Sequence, residues 1–230
     1  MSLSINFNQM SPATPYQPIL LRILHTAIAI LTLSALVSGF GVYNTYDKRW
    51  GSLNLPRLDA IQDIHGTIAL TFLLILPVFV LYSFHIGYRR LVQEQSFSHL
   101  TEIGKPIWWV SLHRISNTLV LFSATFAVIT GRMMKEEWLP AGEIFHPWYI
   151  AHLTAWFCVL ISVAFHLLLG AKVGGFSLLI SMFSTQKSSE DKLSNCLKDI
   201  RINQVSKLLR IIEFMVIGGI ILAFILPLFN

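Results

Sequence analysis

Residues 148–170 read WYIAHLTAWFCVLISVAFHLLLG, an unbroken apolar run that holds His152 and His166 and no formally charged side chain. Coiled as an α-helix at about 1.5 Å per residue, it is long enough to cross a hydrocarbon core of about 30 Å. At about 100° per residue, the second imidazole returns to within about 40° of the first, so both lie on one face. Along the axis they stand roughly 21 Å apart, one toward each end. Ionisable groups in a membrane-spanning helix are costly, face the interior of a bundle and mark functional sites.

Four further apolar stretches, near 19–42, 62–86, 107–131 and 209–229, have the same character. With 54% hydrophobic residues, 13% charged and a mean hydropathy of +0.62, the chain is far more apolar than a soluble domain of 230 residues. The runs are continuous rather than alternating, and too long for barrel strands. The predicted fold is therefore an all-α integral membrane protein, a four-helix transmembrane bundle plus a fifth C-terminal transmembrane helix. It divides into a polar segment 1–18, a four-helix domain 19–171, a cytoplasmic polar linker 172–208 and the last helix, 209–230. The N-terminus is Pro-rich with no basic n-region or small-residue cleavage site, so no signal peptide is expected.

The net charge of +5 does not imply nucleic-acid binding, because its placement follows the positive-inside rule. The N-terminal side, side A, holds Arg22, Arg89, Arg90, Lys105, Arg114 and a tail cluster: Lys172, Lys187, Lys192, Lys198, Arg201, Lys207 and Arg210. The other side, side B, holds Lys48, Arg49, Arg57, Arg132 and Lys135. That asymmetry predicts a cytoplasmic N-terminus. Cys158 in the fourth helix and Cys196 in the tail are badly placed to pair, and no CxxCH motif offers thioether attachment.

In an up-down-up-down arrangement, His25 in the first helix matches the depth of His166, and His65 in the second matches that of His152. A b-type haem iron takes two axial imidazoles from facing helices, a geometry that a four-helix bundle supplies in its core. The predicted pairs are His25 with His166 and His65 with His152, each holding one non-covalent haem near one membrane surface. His113 competes with His25 for the place opposite His166, since its depth is the same. His85 lies about 200° round the helix from His65 and cannot share its face. It suits a surface or quinone-pocket role. His99 and His146 fall in loops and are expected to be solvated. Gly39 lies on the His25 face at side-B depth, where a missing side chain leaves room for a flat macrocycle or for close helix packing. Arg22 and Arg114 are candidate partners for haem propionates, because Arg matches carboxylates with two parallel hydrogen bonds. His85, His113 and Asn117 form the richest remaining polar group at the side-A end and are candidates for holding a quinone.

The pieces RILHTAIAILTLSALVSG (22–39), DIHGTIALTFLLILPVFVLY (63–82), SLHRISNTLVLFSATFAVITGRMM (111–134) and the His152–His166 helix follow one another in order. As an ordered set the chain resembles the bacterial di-haem cytochrome b superfamily. That superfamily includes bacterial cytochrome b561 and the membrane subunits of nickel–iron hydrogenases and formate dehydrogenases. The resemblance covers 19–171 and implies haem ligation from helices one, two and four, which falls on His25, His65, His152 and His166 and leaves His113 out. Thr26 stands where such chains often carry an aromatic residue, and GKPIWW (104–109) occupies the place of the Asn-containing loop of the formate dehydrogenase branch.

The expected function is transmembrane electron transfer between quinone or quinol near side A and a redox partner subunit on the periplasmic or luminal side B. The other class weighed is a histidine-lined metal or small-solute transporter. Against it, helices one to four have no acidic residue deep in the membrane and no broken-helix pair of the kind transporters use.

Overall fold

The computed structural model describes residues 18–56, 58–184 and 206–229. The polar N-terminal segment, Arg57, the tail bases Lys187 to Arg201 with Cys196, and Asn230 lie outside the described residues. Six α-helices follow in order: α1 (Ile19–Tyr46), α2 (Ile61–His85), α3 (Glu94–Ser98), α4 (Pro106–Arg132), α5 (Pro147–Ser181) and α6 (Lys207–Ile225). Three single turns of 3-10 helix, Tyr88–Arg90, His99–Thr101 and Leu226–Phe229, complete them, and no strand occurs among the described residues. Five of the helices are long and apolar enough to cross a membrane: α1, α2, α4, α5, and α6 with its final turn.

Local chemistry sets the ends. Pro106 and Pro147 open α4 and α5, where a missing N–H costs nothing. Ser206 caps α6 by accepting from the Leu209 amide at 3.3 Å. Within the spans, Thr32, Ser38, Thr125 and Thr130 return their hydroxyls to carbonyls one turn back, which satisfies those four protons.

The helices associate as two tight pairs, α1 with α2 and α4 with α5, while α1 scarcely approaches α5. One seam between the pairs is closed by α6. Leu73, Leu76 and Val80 of α2, Leu121 and Val128 of α4, and Leu209, Val216 and Ile220 of α6 form a continuous buried core there. Gly219 lets α6 settle on α4, since any Cβ at that position would collide with Thr125. The fifth span is thus a packing helix. At side B, Asp47 pairs with Arg49 at 2.7 Å and accepts from the Tyr149 hydroxyl at 2.7 Å, tying the α1–α2 loop to α5.

One boundary differs from expectation. The polar linker predicted from 172 is helical as far as Ser181, with a break at Gly175, whose φ of 66° and ψ of −171° only glycine adopts readily. Beyond the break FSLLIS is apolar and folds back over the side-A end. Leu178 covers Gly174, and Leu179 approaches Gly170. Thr26 donates to the Met182 carbonyl at 3.3 Å, and Arg22 donates to the carbonyl of Ser184.

Candidate functional site

The histidines meet in the pairs that depth matching predicts. His65 on α2 and His152 on α5 have ring centroids 6.1 Å apart, and His25 on α1 and His166 on α5 are also 6.1 Å apart. A metal gripped between two imidazoles at about 2.0–2.1 Å per bond sets the centroids roughly 6 Å apart. Both pairs have that separation.

Hydrogen bonds fix which nitrogen faces a metal. Ser38 Oγ lies 2.9 Å from His65 Nδ1, and Thr130 Oγ1 lies 3.1 Å from His152 Nδ1. Each hydroxyl spends its proton on a carbonyl of its own helix, Ser34 at 2.7 Å and Phe126 at 2.8 Å. The oxygens can only accept from the rings, so each Nδ1 carries the hydrogen and each Nε2 keeps its lone pair. His166 is set the same way: Nδ1 lies 2.7 Å from Asn117 Oδ1, an acceptor. His25 differs. Its Nδ1 is buried without a hydrogen-bond partner among the described residues, between the ring edges of Phe79 at 6.2 Å and Phe183 at 6.3 Å.

At the side-B pair, glycines let side chains lie close against the backbone. A Cβ on Gly39 would sit 3.0 Å from Trp156 and 3.2 Å from His65, and one on Gly131 would sit 3.0 Å from His152. Beside Gly39 the loosely joined α1–α5 seam holds an apolar cavity of about 180 Å³, walled by Tyr43, Trp50, Leu153, Trp156 and Phe157. Paired imidazoles, an apolar surround and backbone cradles fit a haem, whose macrocycle supplies the remaining iron ligands.

His113 is also near His166, with centroids 5.7 Å apart. Distance alone does not separate it from His25; packing does. His113 sits on α4, the helix most closely packed on α5, where Ser123 and Ser162 hydroxyls meet at 3.0 Å. Helix α1, which carries His25, stands off from α5.

The remaining candidates separate. Arg22 is fully buried and engages Ser184, and Arg114 Nε donates to the Arg89 carbonyl at 3.1 Å. Both therefore stand at the side-A end with main-chain partners. Asn117 and His113 surround His166 inside the bundle, but His85 faces away from them, toward Glu213 of α6 at 3.5 Å. The proposed quinone trio is thus not one cluster. His146, expected to be solvated, stacks on Trp138 at 3.5 Å and accepts from the Trp148 amide as the cap of α5. His99 Nδ1 is likewise buried.

Ser38, Thr130 and Gly131 escaped the sequence reading. Ser38 adjoins Gly39, and Thr130–Gly131 lies at the depth of His152, so a search for small and hydroxylated residues level with each histidine finds all three. The pairing of Glu213 with His85 needs the placement of α6, which sequence spacing does not give.

The family model described as prokaryotic cytochrome b561 matches residues 16–185. Comparison with curated proteins and with solved structures finds no match. The matched region takes in α1 to α5 with the fold-back to Ser184, and leaves α6 outside.

Proposed function

This chain belongs to the prokaryotic cytochrome b561 family, a multi-pass membrane protein that carries electrons through b-type haem, and we propose that it holds two such haems, one near each membrane surface. His65 and His152 would hold the side-B haem, and His25 and His166 the side-A haem. The observation that carries this reading is the equal 6.1 Å spacing of the two ring pairs, with three of the four Nδ1 atoms already engaged.

When bound, haem supplies a one-electron couple whose potential is tuned by burial and by hydrogen bonds to its ligands. The chain's own work is geometric. Helix α5 fixes the two sites roughly 21 Å apart. Ser38, Thr130 and Asn117 hold the imidazoles in one tautomer, Gly39 and Gly131 clear the space, and Phe183 with the fold-back covers His25. Side A exchanges electrons with quinone or quinol, and side B with a redox partner subunit. The basic side-A residues support a cytoplasmic N-terminus under the positive-inside rule.

A visible spectrum of the purified protein, oxidised and dithionite-reduced, tests the reading. The expected result is a b-type α band and two haems per chain; a colourless protein refutes it.

A further inference from the structure

We propose that His85 and Glu213 are the proton-exchanging end of a quinone site on the outer face of the bundle, where α2 meets α6. This rests on the quinone-linked reading above and places the site away from His113 and Asn117.

His85 ends α2, and Glu213, the one acidic residue of α6, lies about 9 Å along its helix from Lys207. Their side chains are 22% and 18% exposed, with Nδ1 to Oε1 at 3.5 Å. An ionisable pair at the border of two membrane-crossing helices is costly to keep and asks for a role. Helix packing does not supply it, since Leu209, Val216 and Ile220 already bind α6 to the bundle.

The hydrogen bonds give the pair a direction. His85 Nδ1 is 2.9 Å from the Leu81 carbonyl oxygen and faces the Glu213 carboxylate; both are acceptors, so Nδ1 carries the hydrogen. Nε2 is left with a lone pair. A hydroxyl that reaches Nε2 can give up its proton there, and the imidazolium formed is held by the carboxylate behind it, the division of labour of a carboxylate–imidazole base. Cationic groups gather at this end, among them Arg89 and Arg90 after α2, Arg114 on α4, and Lys207 and Arg210 on α6; Glu94 and Glu102 lie in the side-A connection, and the carboxylate that faces this imidazole is that of Glu213.

The approach is through lipid. Leu81, Ile211 and Phe214, flanking the pair on the two helices, are exposed apolar side chains. The ligand must therefore dissolve in the bilayer and still offer a hydroxyl or carbonyl oxygen, which describes a hydroquinone and its quinone. Helix α2 also presents Phe79 to His25 at 6.2 Å, about 9 Å before His85 along the helix, so one helix end serves both the side-A pair and this face. Quinone, two electrons and two protons interconvert with hydroquinone. One proton moves between a headgroup oxygen and His85 Nε2, the O–H bond breaking as N–H forms, or the reverse. The other is exchanged with water at the same surface. A bound b-type haem would take up or supply the two electrons one at a time.

The test uses the full haem-loaded chain in phospholipid vesicles, mixed with duroquinol, or with duroquinone after reduction, while the α band is followed. His85→Gln should slow both reactions roughly a hundredfold and Glu213→Gln about tenfold or more, with haem content unchanged. Glu213→Asp should recover most of the rate, which a merely structural role does not predict. If His85→Gln lowers haem content, Glu213→Gln decides, because α6 carries no histidine. Rates within about twofold of the unaltered protein in the Gln variants with full haem overturn the assignment. If the unaltered protein reacts with neither reagent, the quinone-linked reading falls and this inference with it.

Discussion

Asn117 Oδ1 lies 2.7 Å from His166 Nδ1 while its Nδ2 donates to the Arg90 carbonyl at 2.8 Å, so a single amide anchors this imidazole to the turn that follows α2. Partners behind a metal-bound imidazole set its orientation and basicity, and losing one typically costs about 10- to 100-fold in affinity. Asn117→Leu should therefore release the side-A haem 10- to 100-fold more readily, measured as transfer to apomyoglobin, and leave the side-B haem in place. Asn117→Asp keeps an acceptor and should retain it. Equal release from Leu and Asp variants would show that the amide is not the anchor.

The four proposed ligands give a paired pattern. His65→Ala and His152→Ala should each remove the side-B haem, and His25→Ala and His166→Ala the side-A haem, taking the pyridine haemochrome count from two per chain to one. His113→Ala should leave two. Should His113→Ala lower the count while His25→Ala does not, the ligand opposite His166 is His113.

The glycine cradles can be filled. A branched side chain at Gly131, where even a Cβ would be 3.0 Å from His152, should exclude the side-B haem and spare the side-A one. Gly131→Val is the informative variant. Gly218→Ala is the control, because nothing lies within 4 Å of its added Cβ, and it should keep both haems. If Gly131→Val binds two haems with an unshifted spectrum, the macrocycle does not lie against α4.

Five helices are long and apolar enough to cross, and if each does, the two ends of the described chain lie on opposite faces of the membrane. With side A cytoplasmic, an alkaline phosphatase fused after Asn230 should be active and a fluorescent protein that folds only in the cytoplasm should be dark. The opposite pattern would mean an inverted topology or a last helix that does not cross.

Much of this was legible in the sequence because the membrane restricts the alternatives. Span lengths follow from bilayer thickness, and α1, α2 and α4 end within a few residues of the expected places. The rigid geometry of one helix relates His152 to His166, and depth matching then pairs them with His65 and His25. What escaped depends on azimuth and on chain reversals. His85 and His113 share the side-A end, and the 200° offset from His65 already turns His85 off the bundle face, but its meeting with Glu213 depends on α6, whose register against α2 no spacing encodes. The reversal at Gly175 resembles in sequence any Gly-Gly pair near a helix end, and only its φ of 66° identifies it. Asn117, one of the candidates for holding a quinone, has its amide on the His166 ring and the Arg90 carbonyl, partners that spacing does not reveal.

The contacts of Arg22 with Ser184 and of Thr26 with Met182 stitch the first turns of α1 to the last residues after α5. The unit from α1 to Ser184 thus closes on itself, its start and finish meeting on one surface. A closed unit tolerates being opened elsewhere, as domains with adjacent termini tolerate circular permutation. Bridging 184 to 18 and cutting the side-B turn near Gly142 leaves every histidine-bearing helix whole. The order in which these helices are threaded is in that sense an accident of their arrangement.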